Sequence, residues 1–405
     1  MVSKVYDVII VGTGYAGLTA ANLIARKGLD VLMVDQDIEQ VLQVPETFYG
    51  ISHDLLVRLN IEKKIQRAVE DPKQIRLISA NDGFNYQIEI EPKKLKGYHY
   101  GMGLNRAVFE QVLIESVVSG GATYLPNIVV ESFIFTDSQI TGVKCSTPDG
   151  FTEYAAKVVI DARGKLAPLT HRLGLITESK KPDNHHIAVF SCFVGHSLTE
   201  LIPNNGILVI ALEDSGYILV MTLPDERVSI MVVLLEEQTI KSAAGNLEKV
   251  FQEAVDSWEP LSKAIQKTEK VMPIQPVMNY YNWEYDKYSG NGFLIVGDAV
   301  AFFGPFFCNG VAIGMNGGEI AADFVVEGLA KDNRLNAVEH LSSYDQQIRN
   351  LLHKWERVRG IQKVSLCTIG LLKQTIGLMS QISFLKLGAV NEELKRNIPL
   401  FAVKA

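Results

Sequence analysis

The sequence predicts a mixed α/β chain. It has a Rossmann-like unit, a second unit on an antiparallel sheet, and a C-terminal helical segment. Three observations carry this. Residues 6–34 pass from an apolar run through a glycine turn and a helical pattern to a second apolar run, a βαβ unit of about thirty residues. Residues 187–235 hold strand-like runs separated by turn residues such as Asn204-Asn205-Gly206 and Pro224-Asp225. Residues 364–390 are rich in Leu and Ile, with only Lys373 and Lys386 charged.

The elements follow in order. Residues 6–11 form the first strand and end in glycines, and Leu18, Ala21, Leu23 and Ile24 then recur at helical spacing. Residues 31–34 form the second strand, closed by Asp35. Strands at 75–79 and 86–90 flank Asn81-Asp82-Gly83, a hairpin signal. A helix is predicted over 105–119. Residues 141–146 and 151–154 flank a second turn at Pro148-Asp149-Gly150, and 158–160 read as a separate buried strand. Runs at 187–194, 207–212, 217–223 and 228–234 make the antiparallel sheet. A last buried strand at 293–296 leads into Gly297-Asp298, and 310–330 are helical.

The 405 residues are 47% hydrophobic and 21% charged, which is globular composition. With 39 basic and 46 acidic side chains the net charge is −7, which argues against a nucleic-acid binder. Cys145, Cys192, Cys308 and Cys367 are widely spaced, so neither a disulfide framework nor a metal site is expected and a cytoplasmic setting is. A strand starting within about five residues of the N-terminus predicts no signal peptide, and no run reaches the ~18 apolar residues of a spanning helix. Residues 353–405 carry a local charge of +6 against −13 for the remainder. Two readings stay open: helices packed on the body or a second subunit, or a basic surface for a membrane, a lipid-like substrate or an acidic carrier protein.

Gly12-Thr13-Gly14-Tyr15-Ala16-Gly17 fits GxGxxG between a strand and a helix. Gly12 makes the tight turn, Gly14 lets a pyrophosphate approach, and Gly17 lets helix and strand pack. The helix start offers free N–H groups and partial positive charge to phosphates. Asp35 stands where a carboxylate accepts from adenosine ribose hydroxyls.

Two further segments resemble a known family. VVIDARGKLAPLTHRLGL (158–175) and GFLIVGDAVAFFGPFFCNGVAIGMNGGEIAA (292–322) look like the DG and GD motifs of the FAD-dependent family that includes aromatic-ring monooxygenases, flavin-dependent halogenases and geranylgeranyl reductases. LNRAVFEQVLIESVVSGGA (104–122) resembles its Arg-bearing helix. The resemblance covers roughly residues 5–330 and implies FAD as cofactor. It implies that Arg106 contacts the cofactor, that Val130 lies near the adenine, and that Asp161 and Gly164 close the DG turn. Asp298 would bond the ribityl chain and Pro305 would shape the turn beside the isoalloxazine. Gly310 and Val311 would begin a helix whose N–H groups stabilise reduced flavin. The implied domains are 1–70, 98–175 and 285–345 for FAD, 71–97 and 176–284 for substrate, and 346–405 as the helical end.

Sequence 1–405 contains no second GxGxxG in strand-helix context, so either NAD(P)H visits the flavin or a partner flavin reductase supplies it reduced. The resemblance implies oxygen activation through a flavin C4a-peroxide that hydroxylates or halogenates a small apolar or aromatic substrate, free or tethered to a carrier. Alkene reduction and non-catalytic prenyl-lipid binding are the alternatives. Departures are visible: residues 216–222 stand where halogenases carry a Trp-x-Trp-x-Ile-Pro strand, with neither Trp nor Pro in place, and Ala301 stands where aromatic hydroxylases usually carry histidine. Phe302, Phe303, Phe306 and Phe307 would form a dry wall over the flavin. Cys308 is the candidate catalytic side chain of that loop, its thiol subject to activation by the helix start at Gly310.

Overall fold

The computed structural model describes residues 4–36, 46, 48–69, 74–80, 85–89, 98–101, 103–148, 150–164, 169, 173, 185–202, 206–212, 216–223, 226–235, 246–281, 283–285, 287–302, 310–332 and 338–362. Chain order begins β1 (Val5–Val11), α1 (Tyr15–Ala25), β2 (Val31–Val34), β3 (Phe48–Ser52), α2 (His53–Arg58), β4 (Gln74–Ser79), β5 (Asn85–Glu89), β6 (Tyr98–Gly101) and α3 (Arg106–Ser119). Next come β7 (Thr123–Leu125), β8 (Val129–Thr136), β9 (Gln139–Thr147), β10 (Gly150–Asp161), β11 (His185–Val194), β12 (Ile207–Leu212), β13 (Gly216–Thr222) and β14 (Val228–Leu235). The rest is α4 (Leu247–Asp256), α5 (Glu259–Ile265), β15 (Glu269–Lys270), β16 (Gln275–Tyr281), β17 (Trp283–Glu284), β18 (Ser289–Gly290), β19 (Phe293–Ile295), β20 (Ala301–Phe302), α6 (Gly310–Asp332) and α7 (Val338–Gln362).

The first sheet has the order β18-β19-β10-β1-β2-β7. From β19 to β7 every pair is parallel, and β18 adds an antiparallel edge. Val8–Val11 and Val31–Val34 are buried without alternation, as expected where a parallel sheet is covered on both faces. All eleven residues of α1 are buried, because the helix lies between this sheet, α3 and α6. β10 corrects the sequence reading: 151–154 and 158–160 are one strand. Ala155-Ala156-Lys157 contains no breaker, and the strand changes partner there, from antiparallel β9 to parallel β1.

The second sheet has the order β15-β11-β14-β13-β12-β4-β5, with β16 on β11. It is antiparallel except that β4 joins β12 in parallel, a departure from the uniform antiparallel expectation. The reason is connectivity: β4 reaches β12 through a crossover of more than a hundred residues, not a hairpin. One face packs on α4 and α5 through Val250, Phe251, Val255 and Leu261. On the other face Phe190, Met231, Leu219 and Val209 stand in one register row, all buried. The turn expected at Asn81-Asp82-Gly83, the Phe303–Cys308 loop and the segment beyond residue 362 lie outside the described residues.

Candidate active site

Four strand ends build the floor of a single cleft. The Gly12 amide donates to the Val34 carbonyl, the Ala162 amide to Val11, and the Val296 amide to Asp161. This registers the ends of β1, β2, β10 and β19 side by side at the carboxyl edge of the parallel sheet, where open α/β sheets bind ligands. A cavity of about 1320 Å³ opens above them.

The glycine turn enters it first. Gly12 has φ +106°, and a β-carbon there would stand 2.7 Å from the Ala162 carbonyl oxygen, so only glycine fits. At Gly14 an added β-carbon would meet nothing within 4 Å and would occupy cavity space instead. Gly14 is the N-cap of α1, no side chain caps that helix, and its first turn holds no acid. The uncapped N–H groups and helix dipole therefore face open volume beside Gly14. α6 begins at Gly310, which also lines the cavity and also has nothing within 4 Å of an added β-carbon. Two helix N-termini thus converge on one space.

Acidic groups mark the two ends. Asp35 accepts a hydrogen bond from Thr13 and lines one end. Asp298 lines the other beside Gly164. Between them Arg106 lies at the start of α3, 3.5 Å from Glu46 and 2.8 Å from Glu110, with the Tyr15 ring 5.4 Å away. The Tyr15 hydroxyl donates to Glu46. Burial works against the Arg106 charge, but Glu46, Tyr15 and Glu110 more than offset it, so the guanidinium is held above its ordinary value. The Glu110 carboxyl is raised by burial, with Arg106 opposing and Glu46 and Asp35 adding to it.

The structure gathers Gly12, Gly14, Ala16, Asp35, Arg106, Val130, Gly164, Asp298 and Gly310 around this cavity. It leaves others behind the wall. Gly17 is a packing position, where a β-carbon would stand 2.2 Å from the Gly12 carbonyl oxygen. Asp161 is fully buried with its carboxylate on Arg163, and Val311 is buried in the core. Pro305 and Cys308 lie outside the described residues. Sequence reasoning missed Tyr15, Glu46, Glu110 and Arg163. Of these only Glu110 carried a signal, its i,i+4 spacing from Arg106. Among the described residues no group of His, Cys, Asp and Glu is arranged to hold a metal.

The donor set fits a dinucleotide with an electron-accepting ring. The α1 turn suits a diphosphate and Asp35 suits ribose hydroxyls. The α6 start suits a ring that gains negative charge when reduced.

Comparison with known proteins agrees. The family model described as FAD binding domain matches residues 5–354. A 1H-pyrrole-2-carbonyl-[peptidyl-carrier protein] chlorinase of Pseudomonas fluorescens is 25% identical, over 86% of this chain and 82% of its own. A digeranylgeranylglycerophospholipid reductase of Methanosarcina acetivorans is 24% identical, over 80% of this chain and 76% of its own. Among solved structures, the flavin-dependent brominase Bmp2 superposes with a TM-score of 0.79 at 18% identity, covering 94% of this chain and 93% of that one. PqsL of Pseudomonas aeruginosa, described as a probable FAD-dependent monooxygenase, superposes with a TM-score of 0.74 at 14% identity, covering 92% of this chain and all of the other. The cleft, its glycine turn and the match over most of its length make this chain a member of the FAD binding domain family and an FAD-dependent oxidoreductase.

Proposed function

We propose that this chain hydroxylates or halogenates an apolar or aromatic acyl group presented on a carrier protein, using FAD reduced by a partner flavin reductase or by visiting NAD(P)H. When bound and reduced, FAD supplies the two electrons that activate oxygen for either outcome. The chain's residues bind, orient and keep the site dry. The α1 N-terminus, with Thr13 and Asp35 beside it, anchors the nucleotide end. The α6 N-terminus favours the charge that appears on reduction. The buried row Phe190, Met231, Leu219 and Val209 makes this face of the second sheet apolar.

The observation that carries this reading is the convergence of two helix starts on one cavity, the one at Gly14 without a side-chain cap. The carrier and the halogen come from the similarity to the pyrrole-carrier chlorinase and to a 1H-pyrrole-2-carbonyl-[peptidyl-carrier protein] brominase of Pseudoalteromonas luteoviolacea. Similarity to the phospholipid reductase supports a second reading, hydride transfer to an alkene.

The test is product mass. The FAD-loaded chain is supplied with a flavin reductase, NADH, oxygen, bromide and a panel of acyl carriers bearing pyrrole, phenol or prenyl groups. Gain of one oxygen or exchange of hydrogen for bromine on an aromatic acyl group is expected. Gain of two hydrogens on a prenyl group, with aromatic groups untouched, would replace this proposal with the reductase.

A further inference from the structure

Arg163 is no part of the glycine turn, yet it lines the same cavity. Its Nε and Nη2 donate to the two carboxylate oxygens of Asp161 at 2.8 and 2.7 Å. Asp161 is fully buried at the end of β10, so this two-pronged bond fixes the plane of the guanidinium. The guanidinium also lies over the Phe133 ring, 4.9 Å from its centroid. Its side chain remains 17% exposed. A residue pinned by its edge and backed by a ring keeps a flat surface for a ligand.

Position decides which part of the ligand meets it. A β-carbon on Gly12 would stand 3.1 Å from the Arg163 amide, so Arg163 borders the phosphate turn. The cavity has two unlike ends. One carries Asp298 and Gly310, and the other runs past Asp35 to Ile114, Val118, Tyr124, Ile128 and Val130. Phe133 belongs to β8, the strand that supplies Val130. The Arg163 surface therefore belongs to the apolar, Asp35 end. Its charge is offset by Asp161, so it adds little to the attraction of a diphosphate. A planar, weakly hydrated cation serves instead as a stacking partner for a base.

We propose that Arg163, locked by Asp161 and backed by Phe133, is the platform on which the purine of FAD stacks, making it a selectivity residue for FAD over flavins that lack adenine. The proposal rests on the chain's use of FAD.

Arg163→Lys keeps a cation beside Asp161 and removes the planar surface. Cofactor-free protein is titrated with FAD and with FMN, followed by flavin fluorescence. Stacking on one base is worth enough to predict about a tenfold rise in the Kd for FAD, with the Kd for FMN unchanged. An unchanged Kd for FAD, or equal weakening of both flavins, would overturn the proposal. A second titration needs no variant: the unaltered chain should hold FAD about fivefold more tightly than flavin cytosine dinucleotide, whose smaller base covers less of the guanidinium. Equal affinities there would also overturn it. An unaltered chain that takes up neither FAD nor FMN would remove the FAD assignment itself.

Discussion

Gly318 of α6 backs onto Ala16 of α1 so closely that a β-carbon on Gly318 would stand 2.4 Å from the Ala16 carbonyl oxygen. It would also stand 2.9 Å from Cβ of Thr19. The same stripe holds Gly314, where an added β-carbon would come 3.4 Å from Cβ of Tyr15. Close backbone contact therefore sets how near the start of α6 comes to the glycine turn. Gly318→Ala has no room at a backbone oxygen, and overpacking of this kind costs about 1–3 kcal/mol. The expected result is a clear fall in Tm without FAD. Gly310→Ala, in open space, should leave Tm close to the original. Equal Tm values for the two variants would show that the helices part without cost.

Gly14 gives the complementary case. Its φ of −66° and ψ of 170° are open to any residue, and an added β-carbon meets no protein atom. Gly14→Val should therefore fold with an unaltered Tm in the absence of cofactor while FAD affinity falls by about a hundredfold, near 3 kcal/mol. Calorimetry and a flavin titration read the two separately. A yellow, saturated Gly14→Val would show that the diphosphate does not use this turn.

Glu110 makes the site's charge depend on pH. It faces Arg106, Glu46 and Asp35, and burial raises its carboxyl above the usual range. An acid raised in the folded chain adds nothing below its unfolded value, and its ionisation then costs stability as pH climbs towards the folded value. Glu110→Gln removes that cost. Its stability advantage over the unaltered chain should be absent near pH 4 and grow towards pH 7. It should also bind FAD about fivefold more tightly at neutral pH, because one negative charge near the diphosphate is gone. A stability difference that is flat with pH would show that Glu110 does not titrate in this range.

What was legible in the sequence is what local chemistry dictates. The βαβ unit follows from uninterrupted apolar runs around Gly12 and Gly14, and the α3 start follows from Asn105, whose side chain accepts from the Val108 amide. Asp298 and Gly310 were legible from a motif that keeps strand, turn and helix contiguous. Glu46 was not: it meets Tyr15 and Arg106 only after the chain folds back, with the Leu104 amide bonded to its carbonyl. Arg163 is adjacent to a motif, yet its value depends on Phe133, thirty residues away and brought near by the β8–β9–β10 meander. The parallel β4–β12 pair escaped for the same reason, since register across a long crossover has no local signature.

Asp298 tests the far end of the cavity. It sits in the turn Gly297–Ala299 that follows β19, with Gly164 of the β10 turn beside it. A carboxylate there can accept from a polyol chain and sets the local negative potential next to the α6 start. Asp298→Asn keeps the shape and one acceptor while removing the charge, whereas Asp298→Ala removes both. If hydrogen bonding dominates, Asn should keep FAD affinity within about twofold and Ala should lose about tenfold. If charge dominates, both variants should raise the flavin reduction potential together, since electrons enter more easily without a nearby anion. Potentiometric titration of the two FAD-loaded variants separates these outcomes, and unchanged affinity and potential in both would remove Asp298 from the cofactor site.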